Sequence, residues 1–234
     1  MAQLDFDDFD VLTFDCYGTL IDWETGLLSA FRAPLAAHGV DEADGAILEA
    51  FARHEAQLEA GPYRRYRDIL GAVLAEMLEH FGQVPSAVEV AAFGGSVASW
   101  PAFPDSAAAL QRLHSRFKLG VITNCDDDLF AASEARLGVD FDWVVTAQQA
   151  KRYKPNPRGF ELAFERIGLP PARILHVAQS LYHDHVTAKR LGLSTVWVDR
   201  RGNEPGSGAT PPAEAKPDLT VPDMATLAAL AVPA

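Results

Sequence analysis

The stretch VLTFDCYGTL, residues 11–20, decides the fold. An apolar run rich in β-forming residues stops at Asp15, and a small turn containing Gly18 and Thr19 follows it. A short run of this kind is typical of a strand buried on both faces of a parallel sheet. Ligands of open α/β sheets bind beyond the carboxyl ends of such strands. Asp15 is therefore a candidate for chemistry, although a lone acidic residue at a strand end is more often structural.

Strand and helix patterns alternate over the second half of the chain. Apolar runs at residues 119–124, 143–147, 173–179 and 194–199 predict four more buried strands. Helical patterns lie at residues 106–117, 127–138, 155–168 and 183–192. With right-handed crossovers this alternation predicts an α/β fold, a Rossmann-like open parallel sheet. Residues 218–230 predict a last edge strand and a closing helix. Residues 200–218, rich in Gly, Pro and Ala, predict a surface loop to which we assign no function.

Residues 22–101 interrupt this alternation. Their apolar residues recur every three or four positions through four consecutive segments, 25–39, 44–61, 63–82 and 85–100, which predicts consecutive helices. An inserted helical cap after the first strand explains this pattern. We therefore expect a core domain formed by residues 1–21 and 102–234, and a cap domain formed by residues 22–101.

Composition limits the classes of partner. The 234 residues carry a formal net charge of −12, which argues against nonspecific nucleic-acid binding because that needs clustered Lys and Arg. The two cysteines, Cys16 and Cys125, cannot build a disulfide framework. The first ten residues lack signal-peptide features, and no window approaches the ~18 apolar residues of a membrane span. We expect a cytoplasmic protein without nucleic-acid or membrane partners.

Four ordered motifs carry a family resemblance: FDCYGTL, GVITN, YKP and HVAQSLYHD. Together with the inserted cap they resemble the haloacid dehalogenase superfamily, and within it the L-2-haloacid dehalogenase branch, type II. The resemblance implies that Asp15 is the nucleophile, that Thr19 and Thr123 hydrogen-bond around it, and that Lys154 balances its charge. These roles are physically sound, because an ammonium keeps a carboxylate ionised and hydroxyl donors fix its direction.

Two departures from the superfamily's phosphatases indicate the reaction. At the position of Tyr17, phosphatases typically carry a second Asp that protonates the leaving alkoxide, and at the position of Gln179 they carry an Asp that binds Mg²⁺. A halide leaves without a proton, and a neutral amide is a poor Mg²⁺ ligand. The sequence thus favours a hydrolase without metal or cofactor that cleaves the carbon–halogen bond of short 2-haloacids through an aspartyl ester. Asp184, beside Ser180, would orient or deprotonate the attacking water.

The resemblance also implies that an arginine early in the cap reaches the substrate. Arg53 is the best candidate by position and His54 is the next, with Tyr17 and Asn124 as further substrate-binding residues. The alternative for both cap residues is that they are solvated helix charges paired with nearby acids. For His176, His183 and His185 we favour structural roles over metal binding.

Two other functions remain open at this point. One is a phosphatase with an atypical Mg²⁺ site, and the other is a noncatalytic member of the superfamily that acts by binding. Retention of Asp15, Thr123 and Lys154 argues against the second. Family relatives also lead us to expect a homodimer, with the helical cap as its surface.

Overall fold

A six-stranded parallel sheet forms the centre of the molecule, with strand order β3-β2-β1-β4-β5-β6. The computed structural model describes residues 4–202 and 208–233. The strands are β1 Val11–Phe14, β2 Lys118–Thr123, β3 Trp143–Thr146, β4 Ile174–Ala178, β5 Ser194–Val198 and β6 Leu219–Val221. This sheet, with helices on its faces, confirms the predicted Rossmann-like α/β class.

β1 is a central strand. Its last residue, Phe14, is in register with Val121 of β2 on one side and with Val177 of β4 on the other. All four of its residues are buried, which explains why they read as a continuous apolar run. Because the strands are parallel, the residues that follow β1, β2 and β4 all emerge at the same edge of the sheet.

Ten α-helices lie in the described residues, and apart from α7 they overlap the segments that the sequence pattern predicts as helical. They are α1 Trp23–Ala37, α2 Asp44–Glu59, α3 Tyr66–His80, α4 Ala87–Gly95, α5 Ser106–His114, α6 Asp127–Leu137, α7 Ala147–Ala150, α8 Arg158–Ile167, α9 Val186–Arg190 and α10 Met224–Ala231. The short α7 escapes a periodicity argument because it is only one turn long. A π-helical turn, Leu181–His185, precedes α9 within the segment predicted as one helix.

The helices α1–α4, called the cap helices below, are inserted between β1 and β2. The chain leaves and returns at adjoining points, because Ile21 forms a bridge with Ala102 and the N–H of Asp22 donates to Pro101 O at 2.8 Å. Aromatic side chains join these helices: Phe31 of α1 packs against Phe51 of α2 and Phe93 of α4. These contacts support the predicted division into core and cap domains, which stays a prediction.

The C-terminal region differs in part from expectation. β6 and α10 confirm the edge strand and closing helix, but the surface-loop prediction for residues 200–218 is wrong at Ala209 and Thr210, which are both buried. The N–H of Ala209 donates to the Glu24 carboxylate at 2.9 Å, so an acceptor on α1 holds this segment inward. The part of that prediction at residues 203–207 lies outside the described residues. None of the described helices combines the length and the apolar character that spanning a bilayer requires.

Candidate active site

The turn after β1 aims Asp15 into a cavity between the sheet edge and the cap helices. Gly18 adopts a φ of +90°, and a Cβ built there would lie 3.0 Å from the indole Nε1 of Trp23, so the turn requires glycine. The turn brings Thr19 back toward the carboxylate. The Thr19 hydroxyl donates to Asp15 Oδ2 at 2.7 Å and accepts the N–H of Gln179 at 2.9 Å. One oxygen of Asp15 is therefore fixed by a neutral donor.

The other Asp15 oxygen contacts the ammonium of Lys154. Nζ lies 2.8 Å from Asp15 Oδ1, 2.7 Å from Asp184 Oδ1 and 2.8 Å from the carbonyl oxygen of Ile122. An ammonium has three protons, so these three acceptors use all of its donors. Lys154 is only 3% exposed, and burial alone would lower its pKa, but the two carboxylates outweigh burial and raise the pKa above its usual range. The side chain is charged at any physiological pH.

A histidine also contacts Asp184. His176, in the middle of β4, places Nε2 3.0 Å from Asp184 Oδ1, while its Nδ1 contacts the Thr13 hydroxyl at 3.0 Å. Burial acts to raise the pKa of Asp184, but Lys154 and His176 together hold it well below its usual range. Asp184 Oδ2 is buried and has no hydrogen-bond partner among the described residues. This oxygen retains an unused acceptor.

Of the two aspartates that contact Lys154, Asp15 has the less stabilised ionised form. Burial raises its pKa above the ordinary value, with the nearby charge of Asp184 adding to the effect, while Lys154 and Thr19 oppose it. A carboxylate that is desolvated, yet still paired with an ammonium, is a stronger nucleophile than one surrounded by water. The arrangement is therefore suited to covalent chemistry at Asp15.

Asn124 fixes the backbone that carries Lys154. Its side-chain amide accepts the N–H of Lys154 at 2.7 Å and donates to the carbonyl of Lys154 at 3.1 Å. Asn124 follows β2, so the lysine is tied directly to the sheet edge. Thr123, the residue before it, is buried, and its hydroxyl has no hydrogen-bond partner within residues 4–202 and 208–233.

Ser180 and His183 form the wall that follows β4. The Ser180 hydroxyl accepts the backbone N–H of His183 at 2.9 Å and contacts its Nδ1 at 3.1 Å. Burial lowers the pKa of His183 to about 4, so its ring is neutral at pH 7. His176 thus belongs to the hydrogen-bond network around the carboxylates, and His183 is hydrogen-bonded to Ser180. The metal interpretation gains no support, since no group of three His, Cys, Asp or Glu in the described chain could hold an ion.

The structure brings together seven of the ten residues that the sequence singled out. Asp15, Tyr17, Asn124, Lys154 and Ser180 line one cavity, and Thr19 and Asp184 bond to Asp15 and Lys154. The remaining lining residues were not predicted: Trp23, Glu55, Glu59, Tyr66, His183 and Thr210. Thr123 lies at the same sheet edge.

Arg53 and His54 do not lie in this cavity. They line a separate one between α1, α2 and α3, where His54 Nδ1 is 2.7 Å from Glu76 Oε2. The reason is helical geometry: at about 100° per residue, the face of α2 that carries Glu55 is turned well away from both. The prediction that Arg53 and His54 bind the substrate is therefore corrected. The alternative, in which a cap residue pairs with a nearby acid, describes His54.

Two glutamates of α2 occupy the position expected for a cap cation. Glu55 and Glu59 are one turn apart, and Glu55 is 3% exposed. The Tyr66 hydroxyl donates to Glu55 Oε1 at 2.7 Å, and Asn124 Nδ2 donates to Glu59 at 3.3 Å. Burial raises the pKa of Glu55 to about 8; burial and the charge of Glu55 raise that of Glu59 well above its usual range. Their spacing of four residues was the only sequence signal that could have indicated them.

The residues at the phosphatase Mg²⁺ positions do not fit the ion. Tyr17 lies where a carboxylate would be, and its hydroxyl is 3.1 Å from that of Ser133. Gln179 provides only a neutral amide. The two remaining carboxylates both contact the Lys154 ammonium through Oδ1. A hard divalent cation prefers several anionic oxygens, and this donor set offers too few.

Known proteins similar in sequence to this chain include a dehalogenase and a phosphatase. The (S)-2-haloacid dehalogenase H-109 of Pseudomonas putida is 26% identical over 218 residues, which is 88% of this chain and 92% of that protein. A phosphoserine phosphatase of Thermus thermophilus is 31% identical over 172 residues, 70% of this chain and 64% of its own. In two other matches, this chain covers only about half of the relative's own length.

A solved structure extends the comparison to three dimensions. L-2-haloacid dehalogenase from Xanthobacter autotrophicus with chloropropionic acid covalently bound superposes with a TM-score of 0.78 and 25% identity, covering 95% of this chain and 98% of that one. The model of the haloacid dehalogenase-like hydrolases matches residues 9–192, well over half of the sequence. The chain therefore belongs to the haloacid dehalogenase-like hydrolase family.

Proposed function

We propose that this protein is a hydrolytic dehalogenase that converts short 2-haloacids into 2-hydroxy acids. The observation that carries the proposal is the buried carboxylate of Asp15, paired with Lys154 and Thr19, next to a Tyr17 hydroxyl engaged with Ser133. Such a site provides a nucleophile, and the residue two positions after it engages its hydroxyl with Ser133 instead of acting as a proton donor to a leaving group. The proposal draws further support from the haloacid dehalogenase relatives described above.

In the first step, an oxygen of Asp15 attacks the carbon that bears the halogen. The new carbon–oxygen bond forms as the carbon–halogen bond breaks, and the halide leaves with the bonding electron pair. The product is an ester of Asp15. Lys154 then pairs with Asp184 alone, because the esterified Asp15 no longer carries a charge.

In the second step, water attacks the carbonyl carbon of the ester. Asp184 Oδ2, buried and unpartnered in the described structure, accepts a hydrogen bond from that water and orients it. The ammonium of Lys154 and the hydroxyl of Thr19 stabilise negative charge on the carboxyl oxygens in the tetrahedral intermediate. Cleavage of the ester releases the 2-hydroxy acid and restores Asp15, and one proton goes to solvent.

Halide release tests the proposal. Chloroacetate, fluoroacetate and both enantiomers of 2-chloropropionate are incubated with the wild type, with Asp15→Asn and with Asp10→Asn, a control at the other end of β1. We expect halide from the wild type and the control only. A single turnover in ¹⁸O-water should place label in Asp15; label found only in the product would contradict the ester.

A phosphatase is the second candidate, because one relative is a phosphoserine phosphatase. The donor set described above argues against it. Turnover of p-nitrophenyl phosphate that requires Mg²⁺, with no halide released from any haloacid, would establish it in place of the dehalogenase.

Two further properties are part of the proposal. We place the enzyme in the cytoplasm, as its acidic composition and two unpaired cysteines favour. We also expect a homodimer that associates through the cap helices, which light scattering in solution tests.

A further inference from the structure

The cavity that holds the nucleophile has little positive charge for binding an anionic substrate. Among the described residues that line it, Lys154 is the sole lysine or arginine, and its three protons are already used by Asp15, Asp184 and Ile122 O. The His183 ring is neutral at pH 7. A substrate carboxylate must therefore be held by hydrogen-bond donors rather than by a free cation.

The charges of the cavity favour neutral glutamates. Asp15, Asp184 and Lys154 together leave one negative charge, and two ionised glutamates would add two more beside an incoming carboxylate. Burial already disfavours ionisation of Glu55 and Glu59, and the charge of Glu55 disfavours it further in Glu59. The groups facing them are Tyr66 of α3, Tyr17, Asn124, Lys154 and His183. Both tyrosines have a raised pKa, so Lys154 is the one charged group there that favours ionised glutamates.

The existing hydrogen bonds act in the other direction, because those from Tyr66 and Asn124 lower the pKa of the two glutamates, but burial outweighs them. Tyr66 donates to Oε1 of Glu55, and Asn124 makes only long contacts with Glu59, at 3.3 and 3.4 Å. Among residues 4–202 and 208–233, no lysine or arginine lies within ion-pair distance of either carboxyl group, and Nε2 of His183, whose ring is neutral at pH 7, is 3.9 Å from Glu59 Oε2. A protonated carboxyl group retains one O–H to donate, and donation to a carboxylate is among the stronger hydrogen bonds.

We propose that Glu55 and Glu59 bind the substrate as neutral carboxylic acids, donating hydrogen bonds to the carboxylate of the 2-haloacid in place of a cap cation. The inference rests on the proposed function and deepens it, since it assigns the groups that recognise the acid end of the substrate. No bond is made or broken at either glutamate. Both residues act in substrate binding, so their effect belongs in KM rather than in kcat.

The test is the pH dependence of KM for (S)-2-chloropropionate between pH 6 and pH 10. For the wild type we expect KM to be level at low pH and to rise about tenfold per pH unit once a glutamate ionises. Glu55→Gln keeps a donor that cannot ionise, so its KM should rise less steeply. Glu55→Ala loses the donor, and its KM should increase about tenfold at pH 7. Glu59→Gln and Glu59→Ala form a second pair, and Glu49→Gln, on the exposed face of α2, should keep the wild-type slope.

Binding of propionate to the Asp15→Asn protein separates this inference from the proposed function. Calorimetry should show affinity that falls above pH 8, whether or not the wild type releases halide. Absence of halide release with intact propionate binding would remove the proposed reaction and leave the binding mode. A wild-type KM that is flat to pH 10, or better turnover of 2-chloropropionamide than of 2-chloropropionate, would overturn the inference.

Discussion

The hydroxyl of Tyr17 lies 3.1 Å from the hydroxyl of Ser133 on α6, and the tyrosine ring packs edge-on against Trp100. Burial raises the pKa of Tyr17 well above its usual value, so the phenol stays neutral. Tyr17 thus turns its hydroxyl toward Ser133 while its side chain also lines the cavity that holds Asp15. It contributes packing at a place where a proton donor would otherwise stand.

Tyr17→Phe is therefore expected to reduce stability more than it reduces turnover. Loss of the bond to Ser133 should lower the free energy of unfolding by about 1 kcal/mol, while kcat falls less than tenfold. Urea unfolding and halide release measure the two effects. Ser133→Ala is the matched control for stability, and a kcat reduced a hundredfold by Tyr17→Phe would show that the phenol takes part in the reaction.

Replacement of Lys154 by Met should abolish turnover and destabilise the fold. It leaves Asp15 and Asp184 buried without their shared ammonium, and breaking a buried pair in this way costs about 3–5 kcal/mol. The control is Lys189→Met, which removes an exposed pair with Asp218 and should cost at most about 1 kcal/mol. Equal losses of stability in the two variants would contradict the role of burial.

Thr19→Val tests the donor on the second Asp15 oxygen. Valine has nearly the same shape but cannot donate to Asp15 Oδ2 or accept the N–H of Gln179. We expect kcat to fall about 10²-fold and stability to fall by about 1–3 kcal/mol. Thr19→Ser keeps the hydroxyl and should stay within tenfold of the wild type; if both variants lose activity equally, packing rather than hydrogen bonding is responsible.

Chelation tests the metal prediction made from Tyr17 and Gln179. Halide release should be the same after dialysis against EDTA as in the presence of added Mg²⁺, because the Lys154 ammonium already contacts both carboxylates where a metal ion would bind. A Mg²⁺-dependent phosphatase, assayed in the same buffers, serves as the control. Activity that is lost on chelation and restored by Mg²⁺ would refute the prediction.

Protein stability should fall as pH rises through the range in which Glu55 ionises. The pKa of Glu55 is about 8 in the folded chain against an ordinary value of 4.5, so the folded state binds more protons than the unfolded state between these values. The free energy of unfolding then decreases with pH, by at most about 1.4 kcal/mol per unit for one group. Glu55→Gln should lessen this slope in urea titrations at pH 5 to 8. Glu49→Gln should not, and an unchanged slope in Glu55→Gln would show that Glu55 is ionised throughout.

Much of the fold follows from local patterns. The strands are short apolar runs, and their order along the chain with right-handed crossovers leaves few possible sheets. The same reasoning brings Asp15, Asn124 and Ser180 to one edge, because the first two directly follow a strand and Ser180 lies two residues after β4. Strand ends are thus positions at which sequence alone carries three-dimensional information.

The cap side of the cavity could not be derived in this way. α2 carries charged residues on more than one face, and which face turns toward Asp15 depends on how the cap helices pack. Arg53 and Glu55 are two residues apart, yet they line different cavities. Thr210 lines the cavity although its segment is rich in Gly and Pro. The Glu24 carboxylate on α1 accepts the N–H of the neighbouring Ala209, and no periodicity in the sequence reveals this contact.

The wide separation of Asp15, Lys154 and Asp184 along the chain affects how the enzyme is made. β1 hydrogen-bonds to β4 through the N–H of Asp15 and the carbonyl of Val177, a contact that cannot exist until the ribosome has delivered about three quarters of the sequence. The nascent protein therefore carries its proposed nucleophile from the start but should remain inert through most of its synthesis. Recovery of turnover during refolding would accordingly report the slow, long-range completion of the sheet.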